Sequence, residues 1–455
     1  MTALFAHRAL LPDGWARNVR LEIDVHGRFS KVERDASPDG VECVDGPLIP
    51  GMPNLHSHAF QRVMAGLAEV ASNPEDSFWT WRDLMYRLVA RITPEQMHVV
   101  ARQLYIEMLK VGYTRVAEFH YVHHDSDGHP YDDPAELARR LSQAALDTGM
   151  GLTLLPVLYS HSGFGGQPAT PGQRRFIQTT DAYLRQHEAL GAMTRGAGQT
   201  LGLCLHSLRA VTPEQMHAVI AAVDSTCPIH IHIAEQQREV DDCVAWSGRR
   251  PIEWLFEHQN VDARWCLVHA THADTNEVQT LAASGAVAGL CPTTEANLGD
   301  GIFPAGAYLA HGGRFGIGSD SHVSVSPVEE LRWLEYSQRL RDQRRNRLFT
   351  PPQPNVGHTL FGHALGGGAQ ALGQPIGRLE AGYCADAIVL DGSDPYLACA
   401  GDDAILNRWI FGGGDRQVRD VLVAGQWRIR QGRHAAEEAS SAAFADVLRA
   451  LLSDA

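Results

Sequence analysis

The sequence lacks the features that mark several large classes of protein. Its 8 cysteines contain no C-x-x-C pair, so neither a thiolate zinc site nor a dense disulfide framework is predicted. No run of about 18 apolar residues is present, so no membrane-spanning helix and no membrane partner are expected. The first residues, MTALFAHRALLPDGW, lack the basic start and long apolar core of a signal peptide. These absences predict a cytoplasmic protein.

An excess of positive charge is absent as well. The formal net charge is −14, because 53 acidic residues outnumber 39 Lys and Arg. Nucleic acid is therefore not an expected partner, since binding phosphates requires a basic surface. A small anion, in contrast, needs only a few local arginines. With 455 residues, the chain suffices for about two or three domains, or for one barrel of roughly 250 residues with additions.

Apolar strand-like runs alternate with amphipathic helical segments between residues 49 and 372. Strands that alternate with helices predict a parallel sheet, and eight strands are the number that closes a barrel. The predicted fold class is α/β, with a (β/α)₈ TIM-like barrel. The eight runs are PLIPGMPNL, GYTRVAEFHYV, GLTLLPVLYS, QTLGLCLHSL, PIHIHIAE, WCLVHATH, AVAGLCPTT and RFGIGSDSH.

Both ends of the sequence are rich in short strand-like runs instead. Residues 1–48 contain runs such as VRLEIDVHGRFSKVE, and residues 373–455 contain GYCADAIVLDG and VRDVLVAGQWRIRQGRH. We expect the two ends to form one small β-sandwich domain, followed by a terminal helix. The predicted division is 1–48, 49–372 (the catalytic barrel) and 373–455.

The stretch PNLHSHAFQR contains two histidines, His56 and His58, at the end of the first strand. Residues i and i+2 of a strand point to the same face, so the two imidazoles can converge on one ion. Taken alone, the pair is better explained as polar residues that close a strand.

Further residues of the metal-ligand type lie at the ends of later strands, and these ends meet at one mouth of a barrel. The combination therefore predicts a metal site. In chain order these residues are His230 and His232, followed by Glu235; His269; and Asp320, followed by His322.

Some of these polar residues also have structural explanations. His230 lies earlier in its strand and could be a hydrogen-bonded core histidine. His322 could merely cap a turn. The histidine-rich stretch 120–129 is predicted to be a polar loop, with a second metal site as the alternative.

Together these motifs resemble the amidohydrolase superfamily, specifically its deaminase-like branch. The resemblance covers nearly the whole chain and is carried by PGMPNLHSH, HIHIAE, VHATH and GIGSDSH, with IGRLEAGYCADAIVLD as a return strand into the β-sandwich. The run TLGLCLHSLRA contains no lysine that could be carbamylated to bridge two metals, which favours a mononuclear site.

The resemblance implies one divalent ion per chain, with Zn²⁺ expected and Fe²⁺ or Mn²⁺ as alternatives. Such an ion lowers the pKa of a bound water from 15.7 toward about 7. Asp320 would also accept a proton from the water, Glu235 would carry protons to the substrate nitrogen, and His269 would orient the hydroxide. The implied ligands are His56, His58, His232 and Asp320.

Within the superfamily, the chain resembles the formimidoylglutamate deiminases most. The segments LHSHAFQRVMAG, FWTWRDLMYRL, EFHYVHH and LHSLRAVTPE carry this resemblance. It implies the hydrolysis of N-formimino-L-glutamate to N-formyl-L-glutamate and ammonia, in histidine degradation. The partner would then be a small dicarboxylate, and family analogy suggests a homodimer.

Arginine matches this substrate because its planar fork binds a carboxylate through two hydrogen bonds. The resemblance implies that Arg82 is one of the residues that bind the substrate. The alternative is that Arg82 is a charged residue on the surface of a helix, since WRDLMYR also has helical spacing. The alternative functions are a deaminase of a nucleobase or related ring, and a metal-free assembly protein. The residues implied to hold the glutamate moiety are Gln61, Arg82, Tyr121, His206 and Arg209.

Overall fold

The protein folds around two sheets whose strands come from different parts of the sequence. The structure is a computed structural model that describes residues 2–70, 78–196 and 198–453. Its strands are β1 (Thr2–Leu11), β2 (Gly14–Ile23), β3 (Phe29–Glu33), β4 (Glu42–Val44), β5 (Leu48–Pro50), β6 (Met52–Ser57), β7 (Tyr113–His120), β8 (Gly151–Leu158), β9 (Thr200–Leu201), β10 (Leu203–Ser207), β11 (Ile229–Ile233), β12 (Trp265–His269), β13 (Val287–Leu290), β14 (Arg314–Ile317), β15 (Ala387–Leu390), β16 (Val418–Val423), β17 (Gln426–Arg430) and β18 (Arg433–His434).

Helices separate most of the strands between β6 and β15. They are α1 (Phe78–Val89), α2 (Pro94–Lys110), α3 (Glu136–Thr148), α4 (Thr180–Gly196), α5 (Pro213–Ala222), α6 (Gln237–Ser247), α7 (Pro251–His258), α8 (Thr275–Ser284), α9 (Pro292–Leu298), α10 (Ala305–Ala310), α11 (Pro327–Asp342) and α12 (Val356–Leu372), and beyond β15 follow α13 (Pro395–Ala398), α14 (Ile405–Gly412) and α15 (Glu437–Leu452). Within the described ranges, no helix combines the length and apolarity that crossing a bilayer requires.

Eight parallel strands form the barrel in the order β14, β13, β12, β11, β10, β8, β7, β6, and β9 pairs additionally with β8. The two outer strands meet where Asp320, just beyond β14, pairs with Ser57 of β6. This arrangement confirms the (β/α)₈ barrel predicted from the alternation of strands and helices.

The second sheet contains strands from both ends of the chain, in the order β18, β17, β16, β15, β5, β1, β2, β3, with β4 beside β1. Leu4 and Val19 share its apolar core with Ala387 and Leu422, so both termini build one small domain, as predicted. The strand β5 at 48–50 belongs to this sheet. The exact division 1–48, 49–372 and 373–455 stays a prediction, and α15 supplies a helix near the C-terminus.

Local sequence explains where two barrel helices begin. The hexapeptide TPEQMH occurs at 93–98 and again at 212–217, at the starts of α2 and α5. In both copies the threonine side chain accepts a hydrogen bond from the backbone N–H three residues later, and the glutamine side chain accepts one from the threonine N–H. This capping box satisfies two N–H groups that the first helical turn leaves free.

A buried ion pair joins the barrel to the small domain. Arg115 of β7 donates from Nε and Nη2 to the carboxylate of Asp386 at 2.6 and 3.1 Å, and from Nη1 to Gln374 at 2.8 Å. The two charged side chains are only 10% and 0% exposed. Removing one partner would leave the other charge buried and uncompensated, which is strongly destabilising.

We therefore expect Arg115→Met to lower the free energy of unfolding by about 3–5 kcal/mol. Thermal denaturation followed by circular dichroism would reveal this as a lower midpoint. Arg139→Met is the control, because Arg139 pairs with Asp133 at 51% and 38% exposure, and exposed pairs contribute about 0–1 kcal/mol. Equal shifts in the two variants would contradict a special role for the buried pair.

Candidate metal centre and active site

The barrel closes at the point where its candidate metal ligands lie. The backbone N–H of Asp320 donates to the carbonyl of His56 at 3.0 Å, and the N–H of His58 donates to the carbonyl of Asp320 at 3.3 Å. A Cβ on Gly318 would lie 2.6 Å from the Cβ of His56, a distance that real Cβ atoms do not reach. Glycine at position 318 therefore permits the close approach of the two strand ends.

Four ligand atoms converge inside this closure. The Nε2 atom of His56 lies 3.1 Å from Nε2 of His58 and 3.0 Å from Nε2 of His232. One carboxylate oxygen of Asp320 lies 3.4 and 3.3 Å from the first two nitrogens. A tetrahedral ion with bonds of about 2.0–2.1 Å separates its ligands by about 3.3 Å, so the donor set fits one ion.

The other ring nitrogens determine which way these imidazoles face. His58 donates from Nδ1 to the carbonyl of Phe119 at 2.8 Å, and His232 donates from Nδ1 to the carbonyl of His206 at 3.0 Å. Each Nε2 therefore carries a lone pair directed at the centre. Burial lowers the pKa of both imidazoles and that of His56, which keeps all three neutral and able to bind a cation.

A buried hydrogen-bond chain lies behind the first strand. The Oγ of Ser57 donates to Glu118 at 2.6 Å and lies 3.2 Å from Nε2 of His322. The Nδ1 of His322 lies 3.0 Å from the hydroxyl of Ser319. Both ring nitrogens of His322 thus face serine hydroxyls, which supports the structural explanation of this residue. Burial raises the pKa of Glu118 to about 7.

Three further histidines that sequence reasoning left open make contacts to the backbone. His230 donates from Nε2 to the carbonyl of Ala371 at 2.8 Å. In the stretch 120–129, His123 and His124 each use Nε2 to donate to a backbone carbonyl, at 2.9 and 2.8 Å. None of these three belongs to a metal-ligating group among the described residues.

Two further titratable residues face the centre from the ends of β11 and β12. Strand β11 ends at Ile233, and Ala234 has a left-handed backbone with φ of +50°, so the chain turns before Glu235. The Nε2 of His269 lies 3.8 Å from Glu235 and 3.8 Å from Asp320.

The shared environment of these two residues raises both pKa values, for different physical reasons. Burial raises the pKa of Glu235 to about 7. Burial alone would lower the pKa of His269, but the carboxylates of Glu235, Glu295 and Asp320 outweigh it and raise that pKa to about 10. A carboxylate and an imidazole with shifted pKa values at one ion site are typical of acid–base chemistry.

All five residues predicted to bind substrate line one pocket above the candidate centre, namely Gln61, Arg82, Tyr121, His206 and Arg209.

Sequence reasoning missed an apolar and aromatic wall of this pocket. Its members are Phe78, Trp81, Met85, Tyr86, Tyr159, Phe176 and Leu298. Tyr159 follows directly on β8, so the rule that strand ends form the site could have found it. Phe176 lies in a loop that carries no such signal.

Two cations in this pocket have no ion-pair partner among the residues that the structure describes. Within the described parts of the chain, neither Arg82 nor Arg209 forms an ion pair, and the buried Nε of each lacks a hydrogen-bond partner. The two guanidinium carbons lie 4.5 and 5.7 Å from the ring of Trp79. Buried donors of this kind are suited to an anionic ligand.

Comparison with known proteins identifies close relatives. The model of the amidohydrolase family matches residues 48–428, and the model of the N-terminal domain of formimidoylglutamate deiminase HutF matches residues 1–44. The formimidoylglutamate deiminase of Pseudomonas aeruginosa is 68% identical over 452 residues, which cover 99% of this chain and 100% of that protein. An 8-oxoguanine deaminase of the same organism is 28% identical, covering 85% and 82%.

Solved structures agree with these relationships. An amidohydrolase from Brucella melitensis superposes with a TM-score of 0.94 at 48% identity, covering 99% of this chain and 100% of that one. An adenosine deaminase from Xanthomonas campestris with bound zinc reaches a TM-score of 0.81 at 22% identity, covering 99% and 98%, and shares the fold. The chain therefore belongs to the amidohydrolase family and, within it, to the formimidoylglutamate deiminases.

Proposed function

We propose that this protein hydrolyses N-formimino-L-glutamate to N-formyl-L-glutamate and ammonia, as a step of histidine degradation. The observation that carries the proposal is that Arg82 and Arg209, which have no ion-pair partner among the described residues, line the same pocket as His58, His232 and Asp320. His56 lies within 3.1 Å of the two histidines and completes the cluster. With a divalent ion bound, such a pocket would be locally cationic although the chain carries a net charge of −14. A substrate with two carboxylates complements it, and the 68% identical relative is a formimidoylglutamate deiminase.

One divalent ion per chain would be held by His56, His58, His232 and Asp320. Nitrogen and carboxylate donors at tetrahedral spacing favour Zn²⁺, and zinc is present in the related adenosine deaminase structure. When bound, such an ion acts as a Lewis acid and lowers the pKa of a water molecule toward about 7.

The protons are moved by residues of the chain. Glu235 accepts one proton of the attacking water and donates it to the imino nitrogen of the substrate. Asp320 accepts the second proton as the attacking oxygen becomes the formyl carbonyl, and this proton also passes to the departing nitrogen. The bond between the formimino carbon and that nitrogen then breaks, and ammonia leaves. His269 hydrogen-bonds the attacking oxygen and offsets the charge that develops there.

The glutamate moiety is held at the opposite side of the pocket. Arg209 and His206 from the end of β10, and Tyr121 beyond β7, bind one part of it, together with Gln61 and Arg82 from the segments that follow β6. The Nε2 of Gln61 donates to the hydroxyl of Tyr121 at 3.1 Å, which fixes these two groups relative to each other.

Two properties of the whole protein are part of the proposal. A homodimer is proposed by analogy with large barrels of this family. A cytoplasmic location is proposed because the 8 cysteines are unpaired, as a reducing compartment would keep them.

The deciding experiment is the release of ammonia from N-formimino-L-glutamate by the purified protein. We expect one ammonia and one N-formyl-L-glutamate per substrate consumed, measured by a coupled ammonia assay and by mass spectrometry. Adenosine and 8-oxoguanine serve as comparison substrates. Release of ammonia from a ring substrate alone would instead support the alternative deaminase.

The metal assignment is tested by two variants of the same strand. His232→Ala should lose most of the divalent ion, because one of its proposed ligands is removed. His230→Asn is the matched control: this residue lies two positions earlier and hydrogen-bonds Ala371, so its metal content should stay near that of the wild type. Metal per chain is measured by inductively coupled plasma mass spectrometry. Full occupancy in His232→Ala would contradict the assignment.

Carboxylate recognition is tested by Arg209→Met. The loss of a charge-assisted pair worth roughly 2–4 kcal/mol should lower kcat/KM by about 30-fold to 1,000-fold, with normal metal content. Arg238→Met is the control, because its guanidinium also lies over Trp79, at 4.7 Å, but is 65% exposed and does not line the pocket. If both variants lose activity equally, the effect comes from the packing around Trp79 rather than from a carboxylate contact.

A further inference from the structure

His269 has a second carboxylate neighbour on the side away from the candidate ion. Its Nδ1 lies 3.3 Å from Oε1 of Glu295, which lies on α9 just beyond β13. Both side chains are buried, at 1% and 6% exposure. An imidazole Nδ1 that faces a carboxylate oxygen donates its hydrogen to it, so Nε2 is the ring nitrogen that faces the centre.

The position of this carboxylate is itself fixed. The same Oε1 of Glu295 accepts the backbone N–H of Cys291 at 2.9 Å, and the carbonyl of Glu295 accepts the N–H of Asp300 at 2.9 Å. Glu295 is therefore tied at both its side chain and its backbone to the segment that follows β13. A carboxylate held in this way gives the imidazole one defined direction.

The backbone conformation of His269 also contributes to the orientation of its ring. His269 has φ of +68° and Ala270 has φ of +49°, a left-handed conformation that costs about 1–3 kcal/mol for a residue other than glycine. Such a conformation persists only where the surroundings hold it. With this backbone, Nε2 of the ring faces both Glu235 and Asp320 at 3.8 Å.

We propose that Glu295 is a positioning residue for His269: it accepts the Nδ1–H and thereby directs Nε2 at the attacking oxygen. This inference rests on the proposed function, in which His269 acts on that oxygen. A purely structural role of Glu295, as the anchor of α9 through Cys291, is the competing explanation.

Two substitutions separate hydrogen bonding from charge. Glu295→Gln keeps an oxygen that can accept from both Cys291 and His269, whereas Glu295→Met removes the acceptor. We expect Glu295→Met to lower kcat about 10–100-fold, the usual effect of losing the partner of a catalytic-site histidine, with little change in KM or metal content. Glu295→Gln should recover most of the activity.

A double-mutant cycle with His269→Ala excludes the structural explanation. If Glu295 acts through the imidazole, Glu295→Met should lower kcat in the wild-type background and have no further effect in the His269→Ala background. A loss by the same factor in both backgrounds would overturn the proposal, since it would mean that Glu295 acts independently of His269. Unchanged kcat in Glu295→Met would overturn it too.

A control variant and an alternative substitution distinguish a loss of activity from misfolding. Glu335→Met removes a fully buried carboxylate of α11 that bonds Arg339 and two backbone N–H groups, so it should keep the kcat of the folded, metal-loaded fraction. If Glu295→Met does not fold, Glu295→Asp replaces it: the retracted carboxylate should lose more activity than the neutral Glu295→Gln. The opposite order would overturn the proposal.

Failure of the proposed function would give a different result from failure of the inference about Glu295. In that case the wild-type protein would release no ammonia from N-formimino-L-glutamate, whatever residue occupies position 295. An active wild type together with an unimpaired His269→Ala variant would overturn the role of His269 and the inference about Glu295, but not the hydrolysis of N-formimino-L-glutamate.

Discussion

The backbone pairing between the ends of β6 and β14 is the constraint on which the candidate centre depends. Two hydrogen bonds, from Asp320 to His56 and from His58 to Asp320, close the barrel, and three of the four proposed ligands are the residues that make them. Their side chains are thus positioned by the same contacts that complete the fold, with Gly318 allowing the approach. Because the ligand positions follow from backbone geometry, the site is preorganised before an ion arrives.

The electrostatics of the pocket follow from burial and from an imbalance of charge. Arg82 and Arg209 have no ion-pair partner among the described residues, although the protein is acidic overall. Both side chains are half-buried, and the carboxylates of Glu239 and Glu235 act on Arg209 from beyond ion-pair distance. An anionic ligand in direct contact would complete this compensation and is therefore favoured. The same arrangement penalises neutral ring substrates, which would leave both guanidinium groups unsatisfied. The proposed specificity for a dicarboxylate therefore depends on the two arginines and on their lack of ion-pair partners among the described residues.

Sequence periodicity predicted the barrel and the strand ends, because apolar runs and the i, i+2 rule are local properties. Periodicity alone does not tell which of His230 and His232 is the ligand, because both lie on one face of β11. The two differ in their contacts: His230 contacts Ala371, and His232 contacts His56. Phe176 and Glu295 were missed for a related reason. Each lies in a loop or short helix whose position over the barrel is set by tertiary packing, and no local pattern encodes it.

Left-handed residues at the barrel mouth explain how side chains enter the site against the alternation of a strand. Glu235 follows His232 by three positions, so a continuous strand would direct it to the opposite face. The left-handed Ala234 breaks that alternation, and positive φ values recur at His269 and at Asp320, at the ends of two further strands. At about 1–3 kcal/mol each, these conformations are unfavourable on their own. They lie above a barrel interior that is buried throughout, whose packing stabilises them and leaves the reactive groups aimed at one point.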